Sequence, residues 1–248
     1  ALANMSRGLG LSEKELAKEV IRLPKFRALY LDSQMNDKAA LQMERSRDFR
    51  ALIRNMKTVE DNDFEVPVNL KNVLRSYQKK GFMWLKTLEA NGFGGILADD
   101  MGLGKTLQVI AFLLSQKEEG RRSPNLIVCP ASLIYNWENE IHRFAPSLKA
   151  KVIAGNGEER ASIIAGIRNK GESAVYITSY ELLRRDIELY GDIKFDCQVI
   201  DEAQYIKNHS TKAAHAVKEI QASFKAALTG TPIENRLSEL WSIFDYLM

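Results

Sequence analysis

The stretch that decides the fold is Asp99-Asp100-Met101-Gly102-Leu103-Gly104-Lys105-Thr106. It lies between an apolar, strand-like run and an amphipathic helical pattern, and it ends in Gly-Lys-Thr, as phosphate-binding loops do. Backbone N–H groups of such a loop and of the following helix point at the anion, and the helix dipole favours negative charge there. We therefore predict that a nucleoside triphosphate is bound by the last seven residues of the stretch: Asp100, Met101, Gly102, Leu103, Gly104, Lys105 and Thr106.

We call residues 99–106 the lysine loop. Lys105 is predicted to neutralise the β- and γ-phosphates, and the Thr106 hydroxyl to ligate Mg²⁺. Asp99 stands where the first glycine of G-x-x-x-x-G-K-[ST] is expected. On this loop alone, a plain glycine turn before a helix with a solvated lysine therefore stays open as an alternative. A dinucleotide-binding motif is excluded, because Leu107 occupies the place of the third glycine in G-x-G-x-x-G.

A second motif, Asp201-Glu202-Ala203-Gln204, follows the apolar run 197–200, and we call it the acidic turn. A carboxylate at the end of a strand beside a phosphate loop is where Mg²⁺ takes a protein ligand, which predicts that role for Asp201. The adjacent Glu202 is placed to orient or deprotonate the water that attacks the γ-phosphate. An exposed acidic turn without function is the alternative. Together the two motifs predict a nucleotide hydrolase with Lys105, Asp201 and Glu202 as catalytic residues.

Further segments occur in order along the chain: 74–78 with Trp84-Leu85, 130–133 with Asn136-Trp137, 178–181, Lys207-Asn208 after the acidic turn, and 228–232 with Asn235 and Leu240-Trp241. With the lysine loop and the acidic turn, these segments resemble the first RecA-like lobe of the Swi/Snf-type ATPases. That family consists of helicase-related motors that translocate on duplex DNA and remodel nucleoprotein. The resemblance extends from about residue 70 to the C-terminus.

The resemblance implies roles for residues outside the two motifs. Gln78 is expected to hydrogen-bond the adenine edge, with Arg75 as a helper near the base or phosphates, and Gln204 stands in the nucleotide site where His is frequent. Thr229 and Thr231 are expected to couple nucleotide state to the nucleic-acid site. Five residues are expected to contact the DNA backbone through hydroxyls and helix-start N–H groups: Pro130, Ser132, Asn136, Ser179 and Tyr180.

The resemblance also implies a cofactor and partners, namely Mg²⁺ with ATP, duplex DNA contacted through its backbone, and a C-terminal RecA-like lobe that would follow Met248. In the family the second lobe supplies an arginine that stabilises the transition state, so slow hydrolysis is expected of this lobe alone. Two other functions stay open, a lobe of an RNA or DNA helicase and a non-catalytic nucleotide-sensing docking module. Intact Lys105, Asp201 and Glu202 argue against the docking module, which needs no water-positioning carboxylate.

Strand-like apolar runs alternate with helical patterns after residue 66, which predicts a three-layer α/β/α fold with a mostly parallel central sheet. With the resemblance, we assign residues 67–248 to a RecA-like P-loop lobe of this architecture. The predicted strands are 95–98, 125–129, 151–154, 174–178, 198–200 and 226–228. The predicted helices are 77–88, 106–116, 133–143 and 211–221. Trp137, at helical spacing from Leu133 and Ile141, is expected in the core rather than as a base-stacking platform.

Residues 1–66 are predicted to form a small helical segment, separated from the lobe by the interrupted stretch 58–70. Ser12 and Glu15 form a capping box at the first helix, Pro24 is expected to end that run, and a second helix is predicted over 40–56. This segment is too small to be an enzyme by itself. Whether it holds the lobe in an inactive arrangement is a hypothesis, which an unchanged ATPase rate after removal of residues 1–65 would contradict.

The composition is that of a globular protein, with 248 residues, 45% of them hydrophobic, and a net charge of +3. A nucleic-acid face must therefore come from local clustering of charge. Cys129 and Cys197 lie in apolar runs and are expected to be reduced core thiols, and the three scattered histidines do not suggest a zinc site. No run is long enough to span a membrane and no signal peptide is visible, so no membrane partner is expected. The expected location is cytoplasmic, at a bacterial nucleoid, or nuclear in a eukaryote.

Overall fold

The computed structural model describes residues 12–18, 20–36, 44–57, 64–169, 174–231 and 237–248. The chain divides into two units, Ala1–Asp61 and Asn62–Met248. The division lies inside the interval 58–70, and a boundary directly after residue 66 stays a prediction. Within the described ranges, no helix combines the length and the apolar character that a membrane crossing requires.

The first unit contains three described helices: α1 Glu13–Leu16, α2 Ala28–Asn36 and α3 Arg47–Lys57. Half of the predicted capping box is present: the Ser12 N–H donates to Glu15 Oε2 at 2.9 Å, but the Ser12 hydroxyl also donates to that oxygen, at 2.7 Å, and the Glu15 N–H donates to the Ser12 carbonyl. The helix ends well before Pro24, however, and α2 was not predicted. The start of the second predicted helix, residues 40–43, lies outside the described residues.

The second unit is built on six strands: β1 Gly95–Leu97, β2 Asn125–Cys129, β3 Lys149–Val152, β4 Ala174–Ser179, β5 Lys194–Ile200 and β6 Gln221–Leu228. They pair in the order β1-β6-β5-β2-β4-β3, and every pair is parallel. The predicted parallel sheet is therefore confirmed. The helices are α4 Ser76–Asn91, α5 Lys105–Glu118, α6 Ile134–Phe144, α7 Gly157–Asn169, α8 Tyr180–Tyr190, α9 Lys212–Glu219 and α10 Leu237–Leu247.

Helices cover both faces of the sheet. Alternate residues of β2 point to opposite faces, because successive side chains of a strand do so. Ile127 joins a core cluster with residues of α4, α5 and α6, whereas Leu126 and Val128 join a second cluster with residues of α7 to α10. The three-layer α/β/α architecture predicted from the sequence is thus the observed one.

Both cysteines are buried and unpaired by disulfide, in agreement with their predicted place in the core. Burial raises the pKa of Cys129 to about 12, because the thiolate would lose its water, and the nearby Asp201 acts in the same direction. The thiol is therefore protonated at neutral pH, and its nucleophilic form is suppressed.

Because all strands run in parallel, their carboxyl ends meet at one edge of the sheet, where ligands of open α/β folds bind. The lysine loop follows β1, the segment beginning at Pro130 follows β2, Tyr180 follows β4, the acidic turn follows β5 and Thr229 follows β6. Every site residue predicted from the sequence except Arg75 and Gln78 lies in or directly after one of these connections.

Candidate functional site

The lysine loop is an exposed turn whose last glycine precedes α5. Gly102 and Gly104 have φ values of 82° and 76°, in the left-handed region that glycine adopts without steric cost. The Lys105 ammonium donates to the main-chain carbonyls of Asp99 and Asp100, at 2.6 and 3.1 Å. Met101 is 79% exposed. The backbone of residues 100–103 is therefore exposed, whereas Lys105 is half-buried and its ammonium is held by carbonyls of the loop.

Residues at the start of α4 hydrogen-bond to the Leu103 carbonyl of this loop. Gln78 Nε2 donates to the Leu103 carbonyl at 3.0 Å, and Gln78 Oε1 accepts from the Arg75 N–H at 2.9 Å. The Tyr77 hydroxyl donates to the same Leu103 carbonyl at 3.1 Å. Both polar atoms of the buried Gln78 amide thus have partners in the protein. Each atom keeps one further donor or acceptor site. The adenine contact stays a prediction, as does the role of the exposed Arg75.

Asp99, the residue that departs from the usual glycine pattern, anchors the start of the loop. Its Oδ2 accepts from Gln108 Nε2 at 2.8 Å, so the carboxylate ties the loop to the second turn of α5. Gly81 makes room for this amide, because a Cβ at residue 81 would lie 1.7 Å from Gln108 Oε1. Sequence reasoning missed this contact, since Gln108 carries no motif signal of its own.

The carboxylate of Asp201 is buried and hydrogen-bonded through both oxygens. Oδ2 accepts from the Trp137 indole at 2.9 Å, and Oδ1 accepts from the Glu202 N–H at 2.9 Å. Burial raises the pKa of Asp201, because the side chain is only 9% exposed and its charge loses water. The two hydrogen bonds and the charge of Lys105 act in the opposite direction. The two predicted motifs follow β1 and β5, which only β6 separates in the sheet, so both lie at the same edge of the sheet.

Glu202 occupies an unusual backbone conformation, with φ 52° and ψ 57°, and it is the one non-glycine with positive φ among the residues the structure describes. For such a residue the left-handed region costs about 1–2 kcal/mol. Its Oε2 accepts from Gln204 Nε2 at 2.6 Å. The side chain of the predicted water-positioning residue is therefore held in place within the turn.

The Gln204 side-chain amide also bonds to a residue at the end of β6. Gln204 Oε1 accepts from the Thr229 hydroxyl at 3.2 Å, and the Thr229 hydroxyl accepts from the Thr231 N–H at 3.1 Å. The Thr229 N–H donates to the Leu97 carbonyl of β1 at 3.2 Å. Gln204 thus bridges Glu202 and the predicted coupling segment, and its direct contact with nucleotide stays a prediction.

Two of the five residues predicted to contact DNA are exposed polar side chains. Ser132 and Asn136 lie at the surface where the chain leaves β2 and enters α6. Pro130, which precedes them, is buried. Trp137 is 1% exposed, which confirms its predicted place in the core.

The hydroxyls of the other two, Ser179 and Tyr180, bond within the protein, and contact of this segment with phosphate through its helix-start N–H groups stays a prediction. Ser179 is 3% exposed, and its hydroxyl caps α8 by accepting from the Leu182 N–H at 3.2 Å. Tyr180 is 5% exposed, and its hydroxyl donates to the Asp201 carbonyl at 2.7 Å. These hydroxyls are occupied because each satisfies a backbone group that would otherwise be buried without a partner.

The donor set suits Mg²⁺ that arrives with a nucleotide. Within the described residues, no group of three or more His, Cys, Asp or Glu side chains forms a metal cage. Mg²⁺ usually takes one or two carboxylates, retains waters and completes its shell with substrate phosphates. Asp201 at the end of β5 and Thr106 at the start of α5 match that chemistry.

A parallel sheet with a lysine loop after its first strand and an acidic turn after its fifth defines a RecA-like nucleotide-binding lobe. Residues 77–248 match the family described as SNF2-related domain, and the chain belongs to that family. Residues 1–67 match a second family, described as bacterial SNF2 helicase associated.

Known relatives agree with this assignment. The chain is 45% identical over 196 residues to an uncharacterized ATP-dependent helicase of Mycoplasma genitalium, covering 78% of this chain and 19% of the relative. It is 41% identical to the TATA-binding protein-associated factor MOT1 of Saccharomyces cerevisiae, covering 83% of this chain and 11% of that protein. Among solved structures, the Sulfolobus solfataricus SWI2/SNF2 ATPase core in complex with dsDNA matches with a TM-score of 0.65 and 45% identity, covering 74% of this chain and 38% of the core. The chain thus spans under a quarter of these two relatives.

Proposed function

We propose that this chain is the ATP-binding lobe of a motor that hydrolyses Mg·ATP, translocates on duplex DNA and remodels nucleoprotein. The observation that carries the proposal is the acidic turn, in which Asp201 and Glu202 are fixed by hydrogen bonds beside the lysine loop. A module that only senses nucleotide needs the loop but has no use for a carboxylate held to position water. Family membership and the relative solved with duplex DNA support the DNA-dependent form of the proposal.

Each residue has a distinct part in the proposed reaction. Backbone N–H groups of the lysine loop and the Lys105 ammonium bind the β- and γ-phosphates, and the Thr106 hydroxyl and Asp201 would hold the metal ion. When bound there, Mg²⁺ would neutralise the charge that develops on the phosphate oxygens. Glu202 orients the attacking water and accepts its proton.

We place the DNA contact on the exposed start of α6. Ser132 and Asn136 offer a hydroxyl and an amide, which bind phosphate oxygens without reading sequence. Replacing each with alanine is expected to weaken duplex binding by a similar factor on all sequences. Binding isotherms on several unrelated duplexes test this, and a large sequence-dependent change would contradict backbone contact.

The decisive experiment is ATP hydrolysis by the complete protein with duplex DNA, single-stranded DNA, RNA or no nucleic acid. Strong stimulation by duplex DNA is the expected result. Stimulation by RNA or single strands alone would identify a helicase instead. No stimulation by any of them would favour the docking module.

Turnover by the 248-residue chain is expected to be slow. In the proposed motor a second lobe contributes an arginine to the transition state, and such arginines accelerate hydrolysis by about 10³- to 10⁵-fold. ATP binding should nevertheless be measurable, because the lysine loop is complete. Rapid turnover by this chain alone would refute the requirement for a second lobe.

A further inference from the structure

We propose that Trp137 and Tyr180 are positioning residues that hold the acidic turn and connect it to the two segments predicted to face DNA. The inference deepens the proposed function and rests on it for the DNA-facing role of those segments. The contacts with the acidic turn are independent of it. Neither aromatic residue is expected to touch nucleotide.

Trp137 reaches the acidic turn from the β2 side. It lies in the first turn of α6, directly after the exposed Asn136, and its indole N–H donates to Asp201 Oδ2. An indole N–H only donates, so it favours a carboxylate over a protonated acid at this oxygen. Because the ring is completely buried, its position fixes the rotamer of Asp201 and the direction of the remaining lone pairs. A group that orients a metal ligand in this way typically affects metal affinity by about 10- to 100-fold.

Tyr180 reaches the same turn from the β4 side, through the main chain. Its hydroxyl donates to the Asp201 carbonyl, directly before the left-handed Glu202. Its ring stacks on Tyr205, with centroids 5.1 Å apart and planes 5° from parallel. The Tyr205 N–H in turn donates to the Glu202 carbonyl at 3.0 Å. Tyr180 therefore secures the peptide units on both sides of a strained residue, which keeps the Glu202 carboxylate at one position.

The sheet order explains why both residues can act on one turn. β2 lies between β5 and β4, so the segments that follow β2 and β4 approach the end of β5 from the same side. A shift of α6 or of the start of α8 would thus move Asp201 or Glu202 through a single hydrogen bond. These two bonds offer a short route by which DNA contact changes the rate of hydrolysis.

The test compares Trp137→Phe and Tyr180→Phe with two matched controls, Trp84→Phe and Tyr246→Phe. Tyr246 is also buried, and its hydroxyl donates to the Gln198 carbonyl of β5 at 3.1 Å rather than to a carbonyl of the acidic turn. Trp84 is partly buried in the core, against Gly95. Thermal melting of all four variants separates loss of packing from loss of positioning.

Calorimetric titration of ATP at graded Mg²⁺ concentrations provides the first measurement. Trp137→Phe is expected to raise the Mg²⁺ concentration for half-maximal ATP binding about 10-fold, whereas ATP binding without Mg²⁺ stays within twofold. Tyr180→Phe is expected to lower kcat of the complete protein about 10-fold with KM within twofold, because it acts on Glu202 and not on the phosphate site. Controls should change none of these values more than twofold. Effects of equal size in the controls, or none in the two variants, would overturn the proposal.

The same variants separate this inference from the proposed function. If duplex DNA does not stimulate the unmodified protein, the proposed DNA-dependent function fails. The Mg²⁺ and kcat effects would then still establish that Trp137 and Tyr180 position the acidic turn. If duplex DNA does stimulate, both variants are expected to reduce the ratio of stimulated to basal rate, and an unchanged ratio would overturn the DNA link.

Discussion

The lysine loop and the acidic turn lie at the same edge of the sheet but are built in opposite ways. The lysine loop is open: a Cβ at Gly102 would meet nothing within 4 Å, and Met101 extends into solvent. The acidic turn is partly buried, and it has hydrogen bonds to both oxygens of Asp201 and one to the carboxylate of Glu202. One half of the site exposes its groups, and the other restrains them.

The difference follows from what each half must bind. A triphosphate brings its own charge and many acceptors, so a loop of N–H groups and one lysine can close around it. A water molecule brings little binding energy, so the carboxylate that orients it must already be in place before reaction. Under the proposed function, the restraint of the acidic turn serves hydrolysis, and the openness of the lysine loop serves nucleotide binding.

The sharpest test of this division is Glu202→Gln. The glutamine can still accept the hydrogen bond from Gln204 but cannot take a proton from water. Turnover of the complete protein is expected to fall about 10²- to 10⁴-fold, with ATP affinity within threefold. Steady-state kinetics and calorimetry give the two values, and Glu219→Gln on the exposed end of α9 is the control. Equal loss of binding and turnover would mean that Glu202 belongs to the binding half.

Lys105→Ala tests the other half. Removing an ammonium that hydrogen-bonds phosphate is expected to weaken Mg·ATP binding by about 10- to 100-fold, since hydrogen bonds to charged groups are worth about 1.5–3 kcal/mol. Lys117→Ala serves as control, because this lysine belongs to the same helix and donates to the Ser147 carbonyl instead. Unaltered ATP affinity in Lys105→Ala would leave the lysine loop without its predicted ligand.

Substitutions at three glycines test how strongly stability and ATP binding depend on the backbone conformation at each of them. Gly102, Gly104 and Gly120 all have positive φ, but only a Cβ at Gly104 would approach Gln78 Nε2, to 2.5 Å. Gly120→Ala and Gly102→Ala should each destabilise the fold by about 1 kcal/mol. Gly104→Ala should also weaken ATP binding about 10-fold, and more than Gly102→Ala, because it displaces the side chain that fixes Leu103. Gly120→Ala, outside the lysine loop, is the control and should leave ATP affinity within twofold. Thermal melts and ATP titrations of the three variants check this order, and equal ATP affinities would contradict it.

The smallest effect is expected for Thr229→Val, which cuts the bridge between the acidic turn and the end of β6. The variant keeps its shape and loses two hydrogen bonds, at a cost of about 1–3 kcal/mol in stability. ATP affinity should stay within twofold, whereas stimulation by duplex DNA should fall about threefold. Thr87→Val, a buried threonine of α4 whose hydroxyl donates to the Met83 carbonyl, provides the control for stability. Undiminished stimulation would show that coupling does not pass through Thr229.

The sequence predicted the sheet well because buried parallel strands are continuous apolar runs. It located all six strands, and it was least accurate where a strand is partly solvated. β3, an edge strand that pairs with β4, alternates in exposure and begins two residues before the predicted start. The outer ends of β5 and β6 also extend beyond the apolar runs, since Lys194 and Gln221 are paired yet exposed.

Two helices, α7 and α8, were not predicted although their caps are readable. Asn156 and Glu159 exchange reciprocal hydrogen bonds at the start of α7, each 2.9 Å long, which is a capping box with asparagine. Ser179 caps α8. Both signals are visible in the sequence.

The motifs placed the lysine loop and the acidic turn correctly, but they did not predict what holds these segments. The hydrogen bond from Trp137 to Asp201 joins residues that are 64 positions apart. Helical spacing predicts that Trp137 is buried, but it does not predict where the indole N–H points. The resemblance predicted ligand contacts for Gln78 and Tyr180, but it did not predict that their side chains also hydrogen-bond to the main-chain carbonyls of Leu103 and Asp201. Such partners depend on packing between elements, which no local pattern encodes.

The strand order also determines how much of the chain must be synthesised before the site can form. β1, which leads into the lysine loop, has β6 as its sheet neighbour, and Gly95 pairs with Ala226. A growing chain that has not yet delivered residues 221–228 therefore leaves β1 without a partner, whatever the state of β2, β4 and β5. Long-range parallel pairing of this kind forms late, because loop closure must precede it. Nucleotide binding would therefore report the pairing of β1 with β6, and a nascent-chain series that gains ATP affinity only after β6 has emerged would show it.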